Sequence, residues 1–271
     1  MKTIVITGAS RGIGWELAKL FAKHHNVFCL SRTAPPELNP KGISAHEREV
    51  VNITHIQCDV ADFESIKATT AQIPSVDILI NNAGTGIGGS IENTSLDEAH
   101  KIVDVNLMGV FNVTKAFLPQ LRQTKGRVIN ISSVASTFSI PYQTMYSATK
   151  VAVTAFGSGL RNELRPFGVQ VMNVLPADVK TSFSAARTMN SDDGVYTSFS
   201  KNSIERMERD EQKGGLCPQG VAKRIFKLST RKRMPPKRTI GVQHRFLTFI
   251  VRFVPQRLID WVVFKMYGGA R

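Results

Sequence analysis

With 271 residues, 42% of them hydrophobic, the chain is long enough to bury a sizeable core in one α/β domain and to carry an appendage. Its net charge of +14 is unevenly placed: residues 1–200 hold 18 Lys and Arg against 16 Asp and Glu, whereas residues 201–271 hold 17 against 5. Three cysteines (Cys29, Cys58 and Cys217) are odd in number, far apart and free of any Cys-x-x-Cys or Cys/His cluster, which argues against a disulfide framework or a zinc site and suits a reducing compartment.

Met1-Lys-Thr-Ile-Val-Ile-Thr-Gly passes straight into a strand pattern, so no signal peptide or anchor is expected ahead of the fold and a cytoplasmic protein is expected. Residues 3–7 are β-branched and apolar, a buried strand, followed by a glycine-rich turn and an amphipathic helix over 13–23 with Leu17, Leu20 and Phe21 on one side. Further strand patterns occupy 27–30, 53–57, 77–80, 126–131 and 168–174. Between them, helical periodicity covers 66–73, 96–121 and 145–164. The stretch 31–52, broken by Pro35, Pro36, Pro40 and Gly42, reads as a surface loop with a short helix around 45–50. Strands alternating with helices define an α/β fold, a doubly wound parallel sheet of about seven strands flanked by helices on both faces. Residues 182–215 loosen into a polar stretch expected to form a mobile helical flap. A helix follows at 218–229, then a basic, proline-broken linker at 231–238 and a last strand at 239–241. Two short apolar segments, 244–253 and 257–266, are joined across Pro255; neither has the roughly 20 apolar residues of a membrane span. The organisation is therefore a core over 1–181, a substrate flap with the last helix and strand over 182–243, and an amphipathic helical extension over 244–271.

Chemistry enters with Tyr146-Ser-Ala-Thr-Lys150, which on a helix sets a phenol and an ammonium on one face a single turn apart. A fixed cation favours the phenolate, lowering a pKa of about 10 toward the range useful for protonating a carbonyl oxygen. Thr7-Gly8-Ala9-Ser10-Arg11-Gly12-Ile13-Gly14 lies where the first strand hands over to the first helix, the place for a pyrophosphate at a helix N-terminus. Together with Asp59-Val60 after the third strand, Asn81-Asn82-Ala83-Gly84 after the fourth, Val105-Asn106 in the next helix and Ile131-Ser132-Ser133 ending the fifth, these motifs resemble, in order, those of the short-chain dehydrogenase/reductase family. The resemblance runs to about Thr181.

That resemblance implies a Rossmann-like fold and transfer of hydride between a nicotinamide cofactor and a C–O bond, with no metal. By matching position, Ser133 would orient the substrate carbonyl, Tyr146 would be the acid, Lys150 would support it and Asn106 would hold a water relaying protons to Lys150; Asn106 also reads as a buried amide bonded to helix carbonyls. Gly8, Ser10, Arg11, Gly12, Ile13 and Gly14 would cradle the pyrophosphate. Asp59 and Val60 would meet the adenine, and Asn82, Ala83 and Gly84 would let the backbone pass close to the cofactor. Pro176-Ala177-Asp178-Val179-Lys180-Thr181 is similar to the family's Pro-Gly-x-Val-x-Thr segment, whose valine and threonine positions, here Val179 and Thr181, hold the carboxamide; Ala177 stands where the family has glycine. Between Ser132 and Ser133, strand alternation admits only one to the site, and the spacing to Tyr146 favours Ser133. Tyr142, one turn before Tyr146 in spacing, is substrate-facing or packing.

Cys29-Leu30-Ser31-Arg32-Thr33, ending the second strand, has no carboxylate to bind ribose hydroxyls, while Arg32 and Arg11 offer guanidinium groups to a 2′-phosphate. NADP(H) is therefore expected, and with it net reduction of a ketone to a secondary alcohol. The basic, aromatic-studded tail either packs against the core or a second subunit, as in a dimer or tetramer of the kind common in the family, or dips into an anionic membrane surface while its Arg and Lys reach the head groups. The latter look is similar to family members that reduce membrane-dissolved ketones such as steroids, 3-ketosphinganine or acyl-dihydroxyacetone phosphate, and implies a hydrophobic substrate. Alternatives are a 3-oxoacyl-carrier reductase and a non-catalytic NADP(H)-binding protein. Nucleic acid is not an expected partner, because no binding motif is present and the aromatics sit within apolar runs.

Overall fold

Alternation along each strand lets one sheet carry two helical layers. In β1 (Thr3–Thr7), Ile4 and Ile6 join one apolar layer and Val5 the other, all three fully buried. The computed structural model describes residues 1–38, 52–190 and 192–268, so the short helix expected at 45–50 lies outside the described residues. After β1 come α1 (Gly12–Ala22), β2 (Asn26–Ser31), β3 (Ile53–Gln57), α2 (Phe63–Thr70), β4 (Ile78–Asn81), a short β5 (Ile87–Gly88), α3 (Leu96–Val103), α4 (Gly109–Thr124), β6 (Arg127–Ile131), α5 (Thr144–Glu163) and β7 (Gln170–Pro176). The chain continues through α6 (Ser182–Ala185), a short β8 (Thr188–Met189), α7 (Thr197–Gly214), α8 (Pro218–Ser229), β9 (Lys237–Ile240), α9 (Val242–Ile250) and α10 (Gln256–Tyr267). Seven strands pair in parallel in the order β3-β2-β1-β4-β6-β7-β9, the Rossmann-like doubly wound sheet expected.

On one face Leu17 and Phe21 of α1 and Val221 and Ile225 of α8 pack against Ile4, Ile6, Met172 and Val174. On the other, Ile66, Val113, Phe117 and Leu160 pack against Val5, Leu79, Val128 and Val171. Each fully buried side chain of this size contributes about 1.5–3 kcal/mol. A polar ladder runs across three strands where apolar residues would be expected. Asn81 Nδ2 donates to Thr114 Oγ1 and to Asn130 Oδ1, both at 2.9 Å; Asn130 Nδ2 donates to Asn173 Oδ1 at 3.2 Å; and Asn173 Nδ2 donates to the Thr154 carbonyl at 2.9 Å. The ladder pins α4 and α5 to the sheet, and Gly157 leaves room for it: a Cβ there would lie 2.0 Å from Asn173 Oδ1. Its bonds fix the height at which α5 carries Tyr146 and Lys150.

The single helix expected over 96–121 is interrupted. Ser95 and Glu98 form a reciprocal capping box at the start of α3, and one π turn, Asp104–Met108, joins α3 to α4. Periodicity could not reveal the interruption, because a wide turn shifts the helical phase without changing composition. In the segment expected to be a mobile flap, β8 pairs with β5 and α7 buries Ile204 and Met207. The Asp193 carboxylate anchors it, accepting from Ser90 N–H at 3.0 Å, Ser90 Oγ at 2.6 Å and Asn190 Nδ2 at 2.9 Å. Burial would push this carboxyl up, but hydrogen bonds from Ser200, Ser90 and Asn190 hold it down at about 2.

After β9 the chain turns at Gly241 (φ 114°) and forms the α9–α10 hairpin, whose last helix lies against α7: Tyr267 donates to Asp210 Oδ2 at 3.4 Å. Phe246, Phe249, Phe253, Trp261 and Phe264 of this hairpin are exposed, Phe253 by 75%. No described helix is long and apolar enough to cross a membrane.

Candidate active site

The strand order reverses between β1 and β4, so the loops leaving their C-terminal ends diverge and open a crevice. Gly8 and Gly12 adopt φ of 63° and 60°, the left-handed region that glycine enters without strain. Close approach also requires glycine here: a Cβ on Gly8 would sit 2.7 Å from Ala83 Cα, and one on Gly14 would sit 2.5 Å from Asn82 Nδ2 and 2.6 Å from the Gly8 carbonyl oxygen. Asn82 knits the two loops together. Its Nδ2 donates to the carbonyls of Thr7 and Gly8, and its backbone N–H, with that of Ala83, donates to Thr7 Oγ1, all at 3.0 Å. The N-terminus of α1 has no side-chain cap and no acidic residue in its first turn, leaving its N–H groups to an external anion. A glycine floor at an uncapped helix end fits the pyrophosphate of a dinucleotide.

From this turn a cleft of about 700 Å³ runs to α5, α6 and α7. Of the residues singled out from sequence, Gly8, Ser10, Arg11, Gly12, Ile13, Arg32, Asp59, Val60, Asn82, Ala83, Gly84, Ser133, Tyr146, Lys150, Val179 and Thr181 line it. Gly14, Asn106 and Tyr142 do not. Gly14 lies beneath the turn. Asn106 is 0% exposed in the π turn: its Oδ1 accepts Thr85 N–H at 2.8 Å, and its Nδ2 donates to the Thr85 carbonyl at 2.9 Å and Thr149 Oγ1 at 3.1 Å. Its amide thus ties the loop after β4 to α5. Tyr142 precedes α5 with φ 60°, so the helical spacing that would stack it one turn before Tyr146 does not apply.

Thr181 caps α6 by accepting Phe183 N–H at 3.2 Å, and its methyl would lie 3.5 Å from a Cβ on Gly12, so the segment after β7 closes over the phosphate turn. Outside glycine, positive φ occurs among the described residues only at Lys125 and Tyr142, so Ala177 occupies ordinary backbone and needs no glycine.

At the far end Ser133, Tyr146 and Lys150 come together. Ser132 turns toward α5, its hydroxyl donating to the Lys150 carbonyl at 2.9 Å, while Ser133 lines the cleft with Tyr146 and its Oγ accepts Ala135 N–H at 3.1 Å. The electrostatics differ from the sequence expectation. Burial holds the Tyr146 phenol above its usual value, and the groups that pull it back down are the Ser133 hydroxyl and the Arg187 guanidinium, with Asp178 and Glu211 opposing them. Lys150 is itself 5% exposed, and burial lowers its ammonium to about 8. The physical reason is geometric. Spacing of i, i+4 places Nζ 5.7 Å from the ring centroid of Tyr146, where it donates to the Ile131 carbonyl at 3.1 Å.

Several cleft residues were not legible in the sequence. Phe183 stands 5.8 Å from the Tyr146 ring, Arg187 and Glu211 line the same end, and the C-terminal hairpin contributes His244 and Tyr267. No motif marks them; the folding of the chain from α6 to α7 and of the α9–α10 hairpin around the cleft brings them in.

The family profile described as short chain dehydrogenase matches residues 2–192. The 3-ketodihydrosphingosine reductase of Bacteroides thetaiotaomicron is 31% identical over 245 residues, covering 88% of this chain and 87% of its own. Among solved structures, a short-chain dehydrogenase from Streptomyces avermitilis superposes with a TM-score of 0.81 at 28% identity, covering 96% of this chain and 97% of that one. An alcohol dehydrogenase from the archaeon Thermococcus sibiricus, complexed with 5-hydroxy-NADP, superposes with a TM-score of 0.71 at 28% identity over 89% of this chain and 96% of that one. A parallel sheet with a dinucleotide crevice and a hydroxyl-lined far end defines an NAD(P)(H)-dependent oxidoreductase acting on CH–OH or C=O groups. The chain belongs to the short-chain dehydrogenase/reductase family.

Proposed function

We propose that this protein uses NADPH to reduce a hydrophobic, lipid-like ketone to a secondary alcohol. The observation that carries the reading is the placing of Ser133, Tyr146 and Lys150 in one cleft with the glycine turn. A bound reduced nicotinamide supplies the hydride. Ser133 and Tyr146 hold the ketone oxygen between two donors, the Tyr146 proton passes to that oxygen as charge develops on it, and the buried Lys150 ammonium stabilises the phenolate left behind. Asn106 and Asn82 keep the flanking loops in register.

Arg11 and Arg32 support the preference for NADPH. Both are exposed on the cleft wall, where a 2′-phosphate would find two guanidinium groups and no competing carboxylate at the end of β2. NADPH oxidation measured with long-chain ketones tests the assignment. NADPH should be preferred over NADH, and Arg32→Ala should narrow that preference by about 10–100-fold, the worth of one charge-assisted hydrogen bond. Equal rates with both cofactors would remove the NADP(H) assignment.

A lipid-like substrate is supported by the likeness to a 3-ketodihydrosphingosine reductase and by the exposed apolar face of the α9–α10 hairpin, with Arg245, Arg252, Arg257 and Lys265 around it. The same hairpin lends His244 and Tyr267 to the cleft, so a ketone arriving from a bilayer surface meets the site through it. Trp261 is 57% exposed and Trp15 only 4%, which makes tryptophan emission a reporter of the hairpin. Vesicles of anionic phospholipid should shift the emission to the blue, less so at high salt. Emission unaffected by vesicles, in a protein that sediments as a dimer or tetramer, would instead assign the face to a subunit interface.

A further inference from the structure

One cleft group stands outside the mechanism above. The side chain of Arg187 is 7% exposed, and its Nη1 is sealed from solvent without a hydrogen-bond partner. The nearest carboxylate oxygen, Glu208 Oε1, lies at 4.0 Å, beyond hydrogen-bonding reach. A buried guanidinium with an unmade donor is costly to keep, and a fold retains one most readily where an acceptor arrives from outside.

The surroundings are built for it. β8 follows directly after Arg187 and pairs with β5, with Thr188 N–H donating to the Gly86 carbonyl and Asn190 N–H to the Gly88 carbonyl, each at 3.1 Å. A Cβ on Gly86 would sit 3.4 Å from Arg187 Cγ, and one on Gly88 would sit 3.0 Å from Arg187 Cδ, so the aliphatic stem lies on a floor of two glycines. Arg187 lines the cleft beside Phe183, whose ring flanks Tyr146.

Charge decides which acceptor suits the site. Glu208, Glu211 and Asp178 all act on Arg187, and Glu211 is held by the Ser184 hydroxyl. These carboxylates balance the positive charge at a distance without using its free donor. An added anion would meet their repulsion, whereas a neutral oxygen would not. We propose that Arg187 is a specificity-determining residue that donates a hydrogen bond to a second, neutral oxygen carried by the substrate next to its reacting ketone. The preferred substrates are then ketones with an adjacent ester, thioester or hydroxyl group, in place of plain ketones. This rests on the reductase reading above, with Tyr146 taking the ketone oxygen and Arg187 the neighbouring one.

The test compares methyl 3-oxodecanoate with 3-decanone, which share the heptyl arm and the ketone and differ in the second oxygen. Because the ester also activates its neighbour chemically, the readout is the change in the ratio of kcat/KM values between proteins. Arg187→Met should lower the ratio of ester to plain ketone by about 10–100-fold, beyond any loss common to both ketones from removing the charge that acts on Tyr146, and Arg187→Lys should recover part of it. Thermal denaturation of both variants checks that the fold persists. Equal loss on both ketones would make Arg187 a structural clamp onto α7, and an unchanged ratio would make it irrelevant to selection; either overturns the proposal. Calorimetric binding of the same two probes to the NADP⁺-loaded protein separates this idea from the reductase reading. If neither probe is reduced but the ester binds with an Arg187-dependent preference, the reductase reading fails and the role of Arg187 stands. No Arg187-dependent preference in either measurement removes that role.

Discussion

Tyr146→Phe lowers kcat for ketone reduction by about 10²–10⁴-fold, the usual contribution of a positioned general acid, while NADPH affinity changes little. The substitution deletes one oxygen and keeps the ring, so the packing against Phe183 at 5.8 Å and the cation over the ring face at 5.7 Å both survive. What disappears is the hydroxyl proposed as the proton donor. Burial keeps that phenol protonated up to high pH, which suits a group that must donate, and the approach of a developing alkoxide is what makes it release the proton. Stopped-flow NADPH oxidation reads the chemical step, and fluorescence titration reads cofactor affinity. Near-normal turnover in the variant would mean that another group delivers the proton. Equal losses in turnover and cofactor binding would mean that the phenol is structural.

The second large effect is expected at Gly14. An added methyl would lie 2.5 Å from Asn82 Nδ2 and 2.6 Å from the Gly8 carbonyl oxygen, and the second contact is backbone that no rotamer change can relieve. Gly14→Ala therefore forces apart the phosphate turn and the loop after β4, where Asn82 holds Thr7 and Gly8 at 3.0 Å. Overpacking of this kind costs about 1–3 kcal/mol, and for a chain of this size each kcal/mol lowers Tm by about 2–4 °C. The same displacement moves the α1 N–H groups off the pyrophosphate, so NADPH affinity is expected to fall at least about tenfold. A matched substitution at Gly159, where a Cβ meets nothing within 4 Å, serves as the control and should leave affinity unchanged. Unaltered NADPH binding in Gly14→Ala would show that the turn is not the phosphate cradle.

Taken one by one, the legible elements are those whose signal lies within a few residues. The strand at 53–57 and the helix at 218–229 have the bounds read from periodicity, and the strands at 78–81, 127–131 and 170–176 are displaced from theirs by only one or two residues at either end. The phosphate turn and the Tyr146–Lys150 pair were equally plain, because a φ of 63° at Gly8 and a one-turn spacing on α5 are local properties of backbone and side chain. Tyr142 lies just ahead of α5 with φ 60° and outside the cleft lining, a placement that spacing along the chain does not reveal.

Amino-acid order alone determined the doubly wound sheet, the place of the dinucleotide crevice and which hydroxyls and amine could share its far end, since periodicity, turn chemistry and i, i+4 spacing act over one or two turns of chain. Tertiary structure alone decided the electrostatics of that end. It buried Lys150 until its ammonium dropped to about 8, set Arg187 rather than Lys150 to pull on the Tyr146 phenol, and laid α10 across α7 so that Tyr267 reached the cleft. Desolvation and through-space charge depend on what packs around a group, and here the packing partners lie far off in sequence. Asp193 anchors the flap to Ser90 across 103 residues, and Tyr267 meets Asp210 across 57, separations over which no pattern in the chain carries information.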